Sequence, residues 1–329
     1  MKTRRDVATD LAAMMLAHLA GAGPASAQKA FPERPIRLVV PFTPGGTTDV
    51  FARLFANRFG DALHVPIVVD NRGGAGGLIG GAEVARGRPD GYTLIFHSPS
   101  SGITGPLIRK TPPYAPVEGF EHISILGFTP IILAVNTRLG VDSLPELVDL
   151  LRRQPGQHTY GTSGIGSGPH LTTELFRRRA GDLDIVHAPY RGASGAVLDL
   201  LAGNITFVVD TFTTLLSQQQ SGQLKIIAVF GEERATVAPE VRTAREVGID
   251  VVTRNTNYLS TSPGTPASTL ELLSAGARKV MNAPDIAAEL TKIAYVPVTD
   301  STPASARAFV GSEVALWAPV IKAAGIKIE

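Results

Sequence analysis

The sequence contains no cysteine and only one tryptophan, Trp317. Without thiols there can be no disulfide framework, no thiolate metal centre and no cysteine nucleophile. An excess of one charge sign is also missing. Its 31 basic and 29 acidic residues give a formal net charge of +2 and are scattered rather than gathered in runs. That leaves no electrostatic footprint for a nucleic acid, so the expected partner is a small molecule. No stretch of 18 or more apolar residues occurs, so no segment reads as a membrane span. Short-period repeats and low-complexity tracts are absent too, which sets solenoids aside. What remains is 329 residues, 44% of them hydrophobic, enough for two lobes that each bury a core.

The N-terminus reads as an export signal. Lys2, Arg4 and Arg5 form a basic start, residues 11–22 are mainly apolar, and Ala25, Ser26 and Ala27 supply the small residues of a cleavage site. The expectation is cleavage after Ala27, a mature chain beginning at Gln28, and a periplasmic location. Asp10 and the paired arginines admit the twin-arginine route beside the general secretory one. An unstructured cytoplasmic tail is the alternative.

Beyond it, short β-branched runs alternate with helical periodicity, the pattern of α/β layers around a mostly parallel sheet. Residues 36–42 read as a strand. Val50, Phe51, Leu54, Phe55, Phe59 and Leu63 then recur every three or four residues and place one apolar stripe on a helix. Strands are expected at 67–70 and 92–97 with a small-residue helix at 78–85 between them, followed by a Pro-rich connection at 111–116. After a strand at 131–135, Ser143 and Glu146 have the spacing of a capping box. A second βα series then supplies strands at 158–161, 184–189, 205–210 and 224–230. Three helical stretches finish the chain, the longest at 303–324.

Four turns stand out, each expected where a strand ends and a helix begins. Glycine allows close backbone approach to a ligand, and a helix N-terminus offers free N–H groups and a positive dipole end, so such turns bind anions without a lysine or arginine. The first carries Pro44, Gly45 and Gly46; the second, at 73–77, carries Gly74, Ala75, Gly76 and Gly77. The third, at 162–168, adds the hydroxyls of Thr162, Ser163 and Ser167, and the fourth, at 191–195, has Arg191, Ala193 and Ser194. Ser98 adds a hydroxyl at a similar position. Any one of these is an ordinary turn; their coincidence points to a carboxylate site in a cleft between two lobes. Asp49 falls in a first helical turn, where capping is its expected role. Asp210 ends a strand and has two readings, contact with a ligand hydroxyl or amino group and contact with a loop N–H.

The same residues admit an enzymatic reading. Ser163, Ser167 and His170 lie close in sequence, and Asp210 would complete a hydrolase triad in space. No G-x-S-x-G elbow occurs, however. The glycine turns lack the lysine of a phosphate-binding loop, and the histidines at 64, 97, 122, 158, 170 and 187 show no H-x-x-x-H spacing. No cofactor and no metal are expected.

RPIRLVVPFTPGGTTDVFAR (34–53), VVDNRGGAGGLIG (68–80), PDGYTL (89–94), YGTSGIGSGPHLTTELF (160–176) and IVHAPYRGASGAVLDLLAGNITFVVD (185–210) resemble the Bug family, the extracytoplasmic receptors of tripartite tricarboxylate transporters. The likeness runs to WAPVIKAAGIKIE (317–329). It implies a two-lobed α/β periplasmic binding fold of type II character with two crossover strands and a ligand cleft between lobes. Lobe one would take 28–129 plus 253–329, and lobe two 130–252. It further implies that loops matching Phe42, Thr43, Pro44, Gly45 and Gly46, then 74–77, 162–167 and 191–194, hold a ligand carboxylate, with Asp210 near the ligand's variable end. The implied protein is a monomeric receptor for a di- or tricarboxylate or an aromatic acid, working with membrane transporter subunits or with a sensor kinase. The chain departs from the family pattern at 254–258, where members often carry a tryptophan, and at Arg242, where a proline is common.

Overall fold

The computed structural model describes residues 31–44, 47–190, 192–292 and 294–327; the export signal expected at 1–27 lies outside them. Strand β1 (Ile36–Val40) pairs in parallel with β2 (Ile67–Asn71) and β3 (Thr93–His97). Helix α1 (Thr47–Leu63) joins β1 to β2 and buries Phe51, Phe55 and Phe59. Phe55 and Phe59 stack at 4.7 Å, while Phe51 meets Phe96 edge-on at 5.1 Å. Each such ring contributes roughly 1.5–3 kcal/mol by burial. Helix α2 (Leu78–Ala85) returns the chain to β3.

Strand β4 (Glu121–Asn136) then runs through both halves of the molecule. Its residues from Glu121 to Pro130 pair antiparallel with β9 (Arg254–Thr261), and those from Ile131 onward pair with β7 (Phe207–Thr211) and β8 (Leu224–Val229). Between these come α3 (Leu144–Arg153), β5 (Thr159–Thr162), α4 (Gly168–Arg179), β6 (Val186–Pro189), α5 (Ala193–Ala202) and α6 (Phe212–Gln220), with β5 parallel to β6 and β7. After β9 the chain closes with α7 (Ala267–Met281), α8 (Pro284–Lys292), the short β10 (Val296–Pro297) and α9 (Pro303–Ala324). The strand order is β2-β1-β3-β9-β4-β7-β5-β6, with β8 and β10 added against β4.

The sheet is therefore mixed, where a mostly parallel one was expected. Strands β4 and β9 carry the chain between halves in opposite directions, so they pair antiparallel with each other and with their neighbours. The sequence pattern predicts no strand at 121–130 or 254–261, where β4 and β9 run. The first stretch contains Gly127 and Pro130, which read as turn residues, and its register shifts before Gly127 mark the irregularity that tolerates them. Near-continuous burial along β4 also removes the alternation that identifies a half-exposed strand.

At the start of α3 the Ser143 hydroxyl accepts the Glu146 N–H at 3.5 Å and donates to the Glu146 carboxylate at 2.8 Å. That carboxylate reaches one residue further back than a capping box requires, taking the Asp142 N–H at 2.9 Å. Apolar clusters cover both faces of the second half's sheet, one built on Leu147, Tyr160, Phe176 and Phe207 and the other on Val197, Val208, Phe212 and Leu215. From Arg34 to Glu329 the chain forms one compact unit. Within it Leu171 of α4 packs with Ile103, Ile108, Val310, Trp317 and Ile321, so the halves share apolar contacts. Among the described residues no helix is long and apolar enough to cross a membrane.

Candidate ligand cleft

Strand-to-helix turns from both halves open onto one cleft of about 870 Å³. From the first half it receives Phe42, Thr43 and Pro44 behind β1, Gly74, Gly76 and Gly77 behind β2, and Ser98 behind β3. From the second come Ser163 and Ser167 behind β5, Ala193 and Ser194 behind β6, and Asp210 at the end of β7. The structure thus brings together most of the residues singled out from sequence. Gly45, Gly46 and Arg191 lie outside the described residues.

Two expected residues do not line the cleft. Thr162 is fully buried, with its hydroxyl 2.7 Å from Nε2 of His187. Side chains alternate along a strand, and Thr162 shares the face of β5 that buries Tyr160. Ala75 sits in a one-turn 3₁₀ segment with φ of 50° and is exposed to solvent. Lining residues that the sequence reading missed include Thr48 and Val50 from α1, Ser100, Ile165, and the group Thr211, Thr213 and Thr214. This last group forms a fifth strand-to-helix turn, which contains no glycine and so escaped a search for glycine. Asn255 also lines the cleft, within the stretch where the chain departs from the Bug pattern. Val50 and Ile165 are 49% and 51% exposed and present apolar surface from opposite halves.

Three of the helices that begin at the cleft lack a side-chain cap. The N-cap residues are Gly77 for α2, Gly192 for α5 and Thr211 for α6, and none accepts an N–H of its helix through a side chain. Their positive dipole ends are therefore not met by a capping side chain, while the Leu78 amide at the start of α2 is taken by the Ala75 carbonyl. Helix α4 is capped by Ser167, whose hydroxyl accepts the His170 amide at 3.3 Å. Gly77 is required here twice over. Its φ is +96°, and a Cβ at this position would lie 2.6 Å from Cβ of Ser101.

Asp210 is 5% exposed. Its Oδ1 accepts the Thr211 N–H at 2.8 Å and the Thr214 hydroxyl at 3.0 Å, whereas Oδ2 has no partner among the described residues. Burial raises its pKa above the ordinary carboxylate value, and hydrogen bonds from the Thr211 amide, Thr214 and Ser163 oppose that rise. Asp49 is buried in a network of side chains. It pairs with Arg53 at 3.0 Å and accepts from Asn71, whose amide also donates to the carbonyl of Phe42. A buried carboxylate is thereby linked through Asn71 to Phe42 at the cleft.

The residues of the weighed triad are engaged elsewhere. The Ser167 hydroxyl caps α4, the His170 imidazole accepts the Gly166 N–H at 3.0 Å through Nδ1, and Ser163 lies against Asp210 rather than a histidine. Among the described residues that arrangement gives neither serine a histidine base.

Two α/β halves joined by long antiparallel strands, with helix N-termini from both opening onto one cleft, define a solute-binding protein of the two-lobed type. Residues 51–326 match the tripartite tricarboxylate transporter family receptor, and the chain belongs to that family of periplasmic solute-binding receptors. Protein BugT of Bordetella pertussis is 34% identical to it across 94% of both chains. Of solved structures, R. palustris Rpa4515 with adipate is 31% identical with a TM-score of 0.83, covering 91% of this chain and 99% of that one. MatC from Rhodopseudomonas palustris with bound malate is 26% identical with a TM-score of 0.79, covering 88% and 100%. The family is one of binding proteins and not of enzymes, which removes the hydrolase reading.

Proposed function

We propose that this chain binds one small carboxylate in the cleft and delivers it, as a monomer, to the membrane subunits of a tripartite tricarboxylate transporter. One observation carries the reading: the uncapped N-termini of α2, α5 and α6, drawn from both halves, face one cleft that also holds the hydroxyls of Ser98, Ser163 and Ser194. Hydroxyls beside positive helix ends suit a carboxylate. Adipate and malate, the acids found with the two solved relatives, are both dicarboxylates. Lobe boundaries near 129/130 and 252/253 agree with the switch in β4 pairing after Pro130 and with the start of β9 at Arg254. The mature receptor begins at Gln28 in the periplasm.

Asp210 narrows the ligand. Its Oδ2, without a partner among the described residues, suits a ligand hydroxyl, an ammonium or a second carboxyl. The test is a thermal-shift screen of the mature protein against adipate, malate, citrate, benzoate and nicotinate. At a hundredfold excess over Kd, a binding acid stabilises the fold by about 2.7 kcal/mol, a readily measured rise in Tm. If every acid in a broad mono-, di-, tricarboxylate and aromatic panel leaves Tm unchanged, the carboxylate reading fails.

A further inference from the structure

The turn that carries Ser163 and Ser167 is held by side chains that do not themselves line the cleft. At its start the Thr162 hydroxyl shares a 2.7 Å hydrogen bond with Nε2 of His187. Near its end the Gly166 amide donates to Nδ1 of His170 at 3.0 Å. Because a backbone N–H can only donate, this bond requires a lone pair on Nδ1. The Gly166 carbonyl is taken from the other half of the molecule, by the Thr104 hydroxyl at 2.8 Å. The same hydroxyl lies 3.3 Å from the carbonyl of Pro99, the residue after Ser98. Both backbone polar groups of Gly166 are thereby fixed, from two sides. Gly166 has φ of +75°, and a Cβ there would collide with Cδ1 of Ile108.

Behind the turn the rings form a ladder. His170 stacks on His187 at 4.0 Å and 10°, His187 on Tyr160 at 4.7 Å and 17°, and Tyr160 on Phe207 at 5.6 Å and 15°. This ladder fixes the ring planes, and with them the direction of each lone pair.

We propose that His170 and His187 are positioning residues that hold the 162–167 turn of the ligand cleft at its two ends, with Thr104 tying it to the turn that carries Ser98. The inference rests on the reading of the cleft as a ligand site. It requires both imidazoles to be uncharged, since a proton on Nδ1 of His170 removes the acceptor and two stacked cations repel. Burial holds His170 near 4, and burial together with His170 holds His187 near 3. The ionisable groups around the stack are Tyr160 on β5 and Glu174 and Arg177 on α4. Tyr160 donates to Glu174 at 3.0 Å, Arg177 pairs with Glu174 at 3.3 Å, and the Glu174 charge opposes the lowering at His187. The clamp is therefore expected to stay intact between about pH 5 and 8.

A pair of variants at one position separates positioning from packing. In His170→Asn the side-chain oxygen takes the place of Nδ1 and keeps the acceptor, whereas His170→Leu fills similar space without one. Two readouts on the mature chain apply: amide hydrogen exchange at residues 163–167, and calorimetric affinity for adipate and malate. Leucine is expected to speed exchange of the Gly166 amide at least tenfold and to weaken the bound acid about tenfold, with asparagine restoring most of both. Unchanged Gly166 exchange in His170→Leu, or unchanged affinity, overturns the proposal. Should that variant fail to fold, ¹⁵N spectra of the wild-type imidazoles decide: a neutral His170 with Nδ1 unprotonated at pH 6 supports the clamp, and a charged ring at pH 6 contradicts it. If the wild type binds neither acid and the wider panel is also silent, the carboxylate reading falls while the exchange result still judges the clamp.

Discussion

The two sides of the cleft are both backed by histidine, in different surroundings. On the first side His97 reaches its turn through an intermediary. Its Nδ1 lies 3.1 Å from the Ser101 hydroxyl, which also takes the Ser98 N–H at 3.1 Å, and the Ser101 carbonyl accepts from Tyr114. The ring is fully buried, stacks on Tyr258, and leaves Nε2 without a partner among the described residues. On the second side His170 accepts a loop amide directly. A turn held through the core is coupled to global stability, whereas a turn held by a few hydrogen bonds from flanking side chains can loosen while the fold persists. Substitutions on the first side should therefore register mainly in Tm, and those on the second mainly in affinity.

Acid should stress both sides together, and it gives the largest effect. Burial lowers His97 well below its ordinary value and brings His122 and His170 to about 4. The folded state thus binds fewer protons than the unfolded chain, so the histidines' contribution is complete above the unfolded value near 6.5 and is lost as pH falls from there towards 4. For His122 and for His170 the loss approaches roughly 3 kcal/mol each. Denaturant midpoints followed from pH 7.5 to 4.5 should fall steeply below pH 6.5. A flat profile would mean that the imidazoles are not buried as neutral groups.

Gly77→Ala probes the first side next. Forcing a side chain at positive φ costs of order 1–3 kcal/mol, and overpacking against the Ser101 backbone and Cβ adds a similar amount. The expected destabilisation is about 2–5 kcal/mol by denaturant titration, and wild-type stability would show that the 73–77 turn can move away. Ser163→Ala is the smallest change and lies on the second side. The Ser163 hydroxyl has one proton, given to Asp210 in the free protein and to the ligand in the complex. Its loss should cost about 1.5–3 kcal/mol of binding at most, roughly tenfold, and lower Tm of the free protein slightly. Equal affinity in the variant would remove Ser163 from the site.

Much of this was legible in the chain. Helix α2 spans the predicted 78–85, the phenylalanine stripe of α1 is buried as its spacing requires, and each glycine turn falls between a strand and a helix. What escaped has physical causes. Thr162 belonged with the cleft by proximity in sequence, but the two-residue period of β5 turns it inward beside Tyr160. Thr213 and Thr214 lie at a strand-to-helix turn that needs no positive φ and so carries no glycine. The crossing strands β4 and β9 are buried almost throughout and lack a polar face to reveal them. The clamp on Gly166 depends on ring stacking between His170 and His187, 17 residues apart, which no local pattern reports.

The central claim is that the cleft recognises a carboxylate through helix-end amides and hydroxyls. Calorimetry with matched pairs tests it most directly: each acid that raises Tm, titrated beside its primary amide at the same pH. The two differ little in size and differ in charge, so the acid should bind at least tenfold more tightly than the amide, and the preference should weaken in Ser163→Ala. Equal affinity for acid and amide in the wild type would contradict the claim.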